Sequence, residues 1–294
     1  MFFNGKAEFD QTKTNFYLRE LGKTIKKEYG KHAHFELILV GGAAIACQYE
    51  FRERTMDLDA MSTGSIKEAI NKITDKYNLP NDWLNTDFQQ TESYSPKLRQ
   101  YAKYYGTFSN VLEVRMIHDE YLIAMKLKSF RPYKHDRSDI VGITAAMQKE
   151  HVPDIYQKVQ KAVEDLYGNI RAVNDQAWDF FRRISQQKDL SNTYTETVKI
   201  ESTAKEAVLS AAVRVNEHVL EKYANDIAIQ AIGKDAFINA IEDSIDREHS
   251  GIHELDDNGN LIDENGNRLY NDAPNIDSPI VQDPDIFDEH EELS

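Results

Sequence analysis

The chain holds a single cysteine, Cys47, among 294 residues. An intramolecular disulfide is excluded, and so is a zinc site built from several thiolates. Glycine and proline are scarce, at 13 and 7 copies, and three of the prolines fall after residue 250. Collagen-like and proline-rich linker architectures are therefore excluded, and long uninterrupted elements are expected over most of the chain. No run of eighteen apolar residues occurs, so no membrane span is expected. Met1-Phe2-Phe3-Asn4-Gly5-Lys6 lacks the apolar stretch of a secretory leader, and the expected location is cytoplasmic.

Positive charge is in deficit: 35 Lys and Arg stand against 50 Asp and Glu, a net −15. The deficit is local. Residues 251–294 carry 13 acidic residues and one basic residue, Arg268, whereas the other 250 residues hold 34 basic and 37 acidic. The acidic segment reads as a solvated, disordered extension. Its Asn258-Gly259-Asn260 and Glu264-Asn265-Gly266-Asn267 are turn signals compatible with one small hairpin. The nearly neutral body remains able to present a local basic patch to a polyanion.

Periodicity supplies the elements. Phe16, Leu18, Leu21, Ile25 and Tyr29 recur at helical spacing, predicting a helix over 10–29. Phe35 to Val40 is a short apolar run that reads as a buried strand, followed by Gly41-Gly42 and a small-residue helix over 43–49. Residues 55–61 alternate as a strand does, and Ser65 is the expected N-cap of a helix over 66–77. Ser109 to Ile117 predicts a third strand, with Glu113 and Arg115 on one face. Helices are expected over 118–131, stopped by Pro132, and over 136–149. From 152 to 250 the pattern is helical almost throughout, with Ile155, Val159, Val163 and Leu166 forming one apolar stripe. Further stripes are read over 207–220 and 227–245.

Three features carry chemistry. Gly41-Gly42, between a strand and a helix, would let backbone N–H groups approach a phosphate at a helix N-terminus; alone, a glycine pair equally makes a tight turn. Asp57 and Asp59 stand at i and i+2 on a predicted strand and share one face, with Cα atoms roughly 6.6 Å apart. Two such carboxylates either converge on a divalent cation or form the wet face of an edge strand. Glu113 is either a third metal carboxylate, if its strand lies beside that of Asp57, or a surface residue paired with Arg115 or a neighbour.

Val40-Gly41-Gly42-Ala43-Ala44 followed by Thr55-Met56-Asp57-Leu58-Asp59 resembles the signature of the DNA polymerase β-like nucleotidyltransferase superfamily. Leu122 to Leu127, Arg131 and Asp136-Arg137-Ser138-Asp139-Ile140 add a narrower likeness. They are similar to the minimal nucleotidyltransferases of toxin–antitoxin and abortive-infection systems, the AbiEii-like group, as is Asn81-Asp82-Trp83-Leu84-Asn85. The likeness spans roughly residues 35–145, about one small domain. It implies that Gly41, Gly42 and Thr55 bind the nucleotide and that Asp57 and Asp59 hold Mg²⁺; its match for a third carboxylate such as Glu113 is ambiguous, and some members of the group manage with two. It further implies that Lys126 contacts the triphosphate and that Asp139 orients Lys126 or the substrate. Asp57, Asp59, Lys126 and Asp139 form the expected catalytic set. The pattern departs from the family in two places. Glu53 stands where an arginine is usual, flanked by Arg52 and Arg54, and Gly-Gly replaces Gly-Ser.

The expected fold is α+β. A nucleotidyltransferase-type mixed sheet flanked by helices occupies 1–150, a mainly helical region 151–250, and the acidic tail 251–294. The expected activity is Mg²⁺-dependent transfer of a nucleoside monophosphate from an NTP to a hydroxyl. The resemblance suggests the tRNA 3′ end or another RNA as acceptor, and an antitoxin as partner. A non-catalytic nucleotide-, RNA- or partner-binding protein on the same fold is the alternative. Other features stay minor. His32 and His34 lack a third ligand, and the glycine offset near Asp256 does not fit a calcium loop. Lys97, Arg99, Tyr101, Lys103, Tyr104 and Tyr105 form either an RNA surface or a tyrosine-rich hairpin. Arg131, Lys134, His135 and Arg137 lie where an incoming polyanion needs charge.

Overall fold

The computed structural model describes residues 8–212, 224–229, 231–232, 254–255 and 261–262. The chain divides into two compact units, Met1–Ile245 and Asp246–Ser294.

In the first unit, α1 (Gln11–Tyr29) starts where the Asp10 carboxylate accepts from the Lys13 amide, satisfying a donor that the first turn leaves open. It buries Leu18, Leu21 and Ile25, while Phe16 and Tyr29 stay exposed. β1 (Phe35–Leu39), α2 (Gly41–Gln48), β2 (Leu58–Ser62), α3 (Lys67–Tyr77) and the two-residue β3 (Leu84–Asn85) follow in order. β4 (Ala102–Phe108) and β5 (Leu112–Ile117) then form a hairpin. Its turn places Ser109 and Asn110 both in the left-handed region, the backbone that matches the twist of paired strands. α4 (Asp119–Ser129) ends at Phe130, whose left-handed backbone closes the helix two residues before Pro132. α5 (Asp136–Lys149), α6 (Ile155–Tyr167), α7 (Asp175–Gln186) and α8 (Ser191–Ala212) follow, and residues 224–229 and 231–232 are also helical.

The five strands form one mixed sheet in the order β3-β2-β1-β5-β4. β1 is central, antiparallel to β2 with Leu39 opposite Ala60, and parallel to β5 with Leu39 opposite Met116. The fold is thus α+β, as expected. One core runs from Phe9 through the sheet to Trp178, Phe181 and Leu190, so α6 and α7 share it with the strands. A second, smaller cluster joins Ala204 and Val208 of α8 to Ala224, Ala228 and Ile232, with Tyr133 and Ile200 packed against it.

Two local expectations shift. β2 begins at Leu58 rather than residue 55, because Thr55 pairs with Phe9 in an isolated bridge and residues 56–57 bend between the two ladders. Ser65 does not cap α3: the capping position is Ile66, with no side-chain hydrogen bond.

In the second unit, Glu254–Leu255 (β6) pairs antiparallel with Leu261–Ile262 (β7); the expected turn at Asn258-Gly259-Asn260 lies outside the described residues. The rest of the expected disordered tail, residues 213–220 of the stripe expected over 207–220, and the part beyond residue 232 of the stripe expected over 227–245 lie outside the described residues. Among the described residues no helix is long and apolar enough to cross a membrane.

Candidate active site

The site grows from the junction of β1 and α2. Val40 leaves the sheet with its amide on the Asp59 carbonyl, 3.0 Å away. The chain then turns into α2 through Gly41, whose φ of 54° is the left-handed region that glycine enters without steric cost. No side chain caps α2, so its first amides point outward. A Cβ on Gly41 would stand 3.6 Å from Asp59 Oδ2. At Gly42 a Cβ would lie only 2.7 Å from Thr55 Oγ1 and 2.9 Å from an Arg52 guanidinium nitrogen. The glycine pair therefore brings the start of α2 against Asp59, Thr55 and Arg52.

Asp57 precedes β2 and Asp59 lies on it; both are half-buried, while Leu58 and Ala60 sit in the core. Among the described residues no side chain hydrogen-bonds or ion-pairs with either carboxylate. Burial and then the Asp57 charge push Asp59 up to about 6, against the pull of Lys126 and Arg131. Burial also raises Asp57, against Lys134 and Arg52. Two neighbouring carboxylates short of water, whose burial and mutual repulsion outweigh the nearby protein cations, are destabilising on their own, and the pair suits a cation supplied from outside.

Behind them lies a buried ion network. Lys126 on α4 holds its ammonium 3.0 Å from Asp136 Oδ1 and 2.8 Å from Asp139 Oδ2. Burial opposes its charge, but Asp139 and Asp136 outweigh burial and hold Lys126 above the ordinary lysine range. Arg52 Nη1 lies 2.5 Å from both Asp139 oxygens. Arg131 donates to Asp136 through its backbone amide at 3.0 Å and its Nε at 2.9 Å. Both aspartates are buried, and their cations outweigh burial and hold them below the usual carboxylate range.

The structure thus brings Gly41, Gly42, Thr55, Asp57 and Asp59 together, with Lys126 and Asp139 directly behind. Glu113 is not among them. β5 lies beside β1, not β2, and Glu113 pairs with Glu36. The row of Asp59 falls four residues further along β1, at Val40. Glu113 is therefore displaced by roughly 13 Å along the strands and two strand spacings across. Continued along β5, the register puts buried Ile117, not an acid, level with Asp59. Among the described residues no group of three His, Cys, Asp or Glu is placed to hold a metal, so His32 and His34 form no such site either.

Three participants were not singled out from sequence. Asp136 shares the Lys126 ammonium with Asp139. Arg52 reaches Asp139 although the family pattern points to position 53. Glu201, on α8, hydrogen-bonds the start of α5 from 63 and 64 residues away. The basic, tyrosine-rich segment is half exposed. Lys97 donates to the Asp165 carbonyl, Lys103 pairs with Asp119 and Tyr101 stacks on Tyr121, while Lys97, Arg99 and Tyr104 stay exposed.

The model of a family described as a nucleotidyltransferase of unknown function, DUF6036, matches residues 17–188. The chain belongs to this family. No curated protein and no solved structure matches it. The span shared with DUF6036 contains every site residue named above except Glu201, and it stops just before α8.

Proposed function

We propose that this DUF6036 member is a Mg²⁺-dependent nucleotidyltransferase that moves a nucleoside monophosphate from an NTP to a hydroxyl acceptor. The carrying observation is the Asp57–Asp59 pair, which no side chain among the described residues hydrogen-bonds or ion-pairs, with Asp59 beside the uncapped start of α2. Mg²⁺ is commonly held by one or two carboxylates, with waters and substrate phosphates completing the shell, so two acids suffice. When bound, it neutralises charge on the reacting phosphates.

The chain's own residues do the rest. Gly41 turns the chain into α2 beside Asp59, and Gly42 lets that turn pack on Thr55 and Arg52, so that the uncapped α2 amides would receive a phosphate. Lys126, Arg52 and Arg131 supply fixed positive charge behind the carboxylates, and Asp136 and Asp139 keep it aimed. In the transfer, the acceptor oxygen bonds to the α-phosphorus and the bond from that phosphorus to the bridging oxygen breaks. Pyrophosphate leaves, and the hydroxyl proton passes to solvent.

The likeness to AbiEii-type toxins extends the proposal. The acceptor is an RNA 3′ hydroxyl, with tRNA first to test, and the chain arrests growth unless a partner protein neutralises it. The test is incubation of purified protein with each labelled NTP, Mg²⁺ and total RNA, beside the Asp57→Ala/Asp59→Ala variant. Label transfer that vanishes in the variant supports the reading. Mg²⁺-dependent NTP binding without transfer to RNA, protein or small molecule would replace it with the non-catalytic alternative.

A further inference from the structure

Glu201 is 1% exposed on α8, outside the span matched by DUF6036. Its Oε1 accepts from the backbone N–H groups of Arg137 at 2.9 Å and Ser138 at 3.1 Å. Its Oε2 accepts from the Ser138 hydroxyl at 2.5 Å, with His135 Nδ1 3.6 Å away. These amides belong to the first turn of α5, where His135, the residue in the capping position, makes no side-chain cap. Glu201 therefore caps α5 from another helix, satisfying donors that the first turn leaves open and placing negative charge at the positive end of the dipole. The turn it holds carries Asp136, and Asp139 follows one turn later. α8 also grips the loop before α5, since Tyr133 packs against the cluster of Ala204 and Val208.

We propose that Glu201 is a positioning residue. By fixing the first turn of α5 it holds Asp136 and Asp139 against Lys126, Arg52 and Arg131, so the nucleotidyl-transfer site is complete only when α8 is docked. This rests on the function proposed above for that site. Glu201 hydrogen-bonds none of the three cations, although its charge also acts on Arg52; its hydrogen bonds are to the first turn of α5. An activity-independent reporter exists. The Arg131 amide donates to Asp136 Oδ2 at 3.0 Å and makes no contact with Glu201. Its hydrogen exchange reads the placement of Asp136.

The experiment uses the full chain, with Glu201→Ala and Glu201→Gln. The glutamine keeps an oxygen acceptor for the two amides. Amide exchange is followed residue by residue by NMR, and NTP turnover in parallel. In Glu201→Ala the Arg131 amide exchanges at least tenfold faster while the Val163 amide of α6 is unchanged. Turnover falls at least tenfold with the NTP KM within threefold. Glu201→Gln restores both to within threefold of the parent. Wild-type protection at Arg131 in folded Glu201→Ala overturns the proposal, and so does lost protection with undiminished turnover. If the alanine variant does not fold, Glu201→Asp draws the carboxylate back by one methylene; wild-type protection at Arg131 there overturns the proposal. A parent protein that transfers no nucleotide refutes the proposed function, while the Arg131 amide still decides whether Glu201 positions Asp136.

Discussion

Arg52 and Asp139 stand 87 positions apart, and one nitrogen of the Arg52 guanidinium lies 2.5 Å from both oxygens of the Asp139 carboxylate. The contact ties the segment before β2 to α5, between which Lys126 is held. Arg52 Nε is buried without a hydrogen-bond partner among the described residues, so the value of the side chain is concentrated at Nη1. A single-nitrogen contact is one that an ammonium can reproduce in part, unlike a two-pronged fork. Arg52→Ala is expected to lose about 3 kcal/mol, as when a buried pair loses one member. Arg52→Lys should lose only about 1 kcal/mol by the same reasoning. Urea unfolding of both variants checks this, and equal losses would show that the whole guanidinium, not Nη1, carries the contact.

Asp59 gives a prediction of opposite sign. Burial, then Asp57, raises its folded pKa to about 6. Its ionised form is thus disfavoured in the folded state, and the penalty grows as pH rises from the ordinary aspartate value toward 6, then stays constant. At pH 7 and without Mg²⁺, Asp59→Asn should be more stable than the parent by at most about 3 kcal/mol, the bound set by the rise to about 6. Below pH 4 the two should unfold alike. Nucleotide transfer should disappear in the variant across the whole range. Thermal unfolding from pH 4 to 8 measures the first effect. A variant less stable than the parent at pH 7 would mean that Asp59 is a structural acid.

How far the sequence reveals this arrangement depends on the range of each contact. Gly41-Gly42 and Asp57-Leu58-Asp59 are readable because their geometry is set within a few residues, by a turn and by strand alternation. Lys126 and Asp139 are readable because consecutive helices bring them together across the short Phe130–His135 connection. Glu113 is misplaced because a strand's neighbours are a property of the whole sheet: β1 lies between β2 and β5, and nothing local to Glu113 says so. Arg52 meets its partner Asp139 from 87 positions away, which nothing local to it reveals. Glu201 carries no local signal, since it looks like one more polar residue on a long helix until α8 docks on α5.

Asp136 and Asp139 make the molecule sensitive to acid. Both are buried, and Lys126 with Arg131, or Arg52 with Lys126, outweigh burial and keep them ionised well below the usual range. A depressed carboxylate contributes stability that is present above its unfolded pKa and is lost as pH falls toward its folded value. The parent should therefore lose stability steadily below about pH 4. Asp136→Asn, already weaker at pH 7, should lose less over that interval, so the two curves converge in acid. Denaturant unfolding from pH 2.5 to 7 decides the point, and parallel curves would mean that Asp136 does not contribute to acid sensitivity.

Gly42 and Gly41 adjoin in sequence but should respond differently to alanine. Gly41 has a positive φ and open space, since its Cβ would meet Asp59 Oδ2 at an ordinary 3.6 Å. The cost of Gly41→Ala is backbone strain of about 1 kcal/mol. At Gly42 φ is not in the left-handed region, but the Cβ would press to 2.7 Å from Thr55 Oγ1 and 2.9 Å from Arg52. Thr55 is buried and its backbone is pinned to Phe9, so it has little room to yield. Gly42→Ala is expected to lose about 2 kcal/mol through overpacking. Thr55→Ala removes the obstructing hydroxyl, and in the double variant the two losses should be less than additive by about 1 kcal/mol. The same Thr55→Ala change should leave the Gly41→Ala loss untouched, because that glycine does not face Thr55. A four-variant unfolding cycle at each glycine measures both couplings. Additive losses at Gly42 would show that the α2 turn moves away from Thr55 instead of pressing on it.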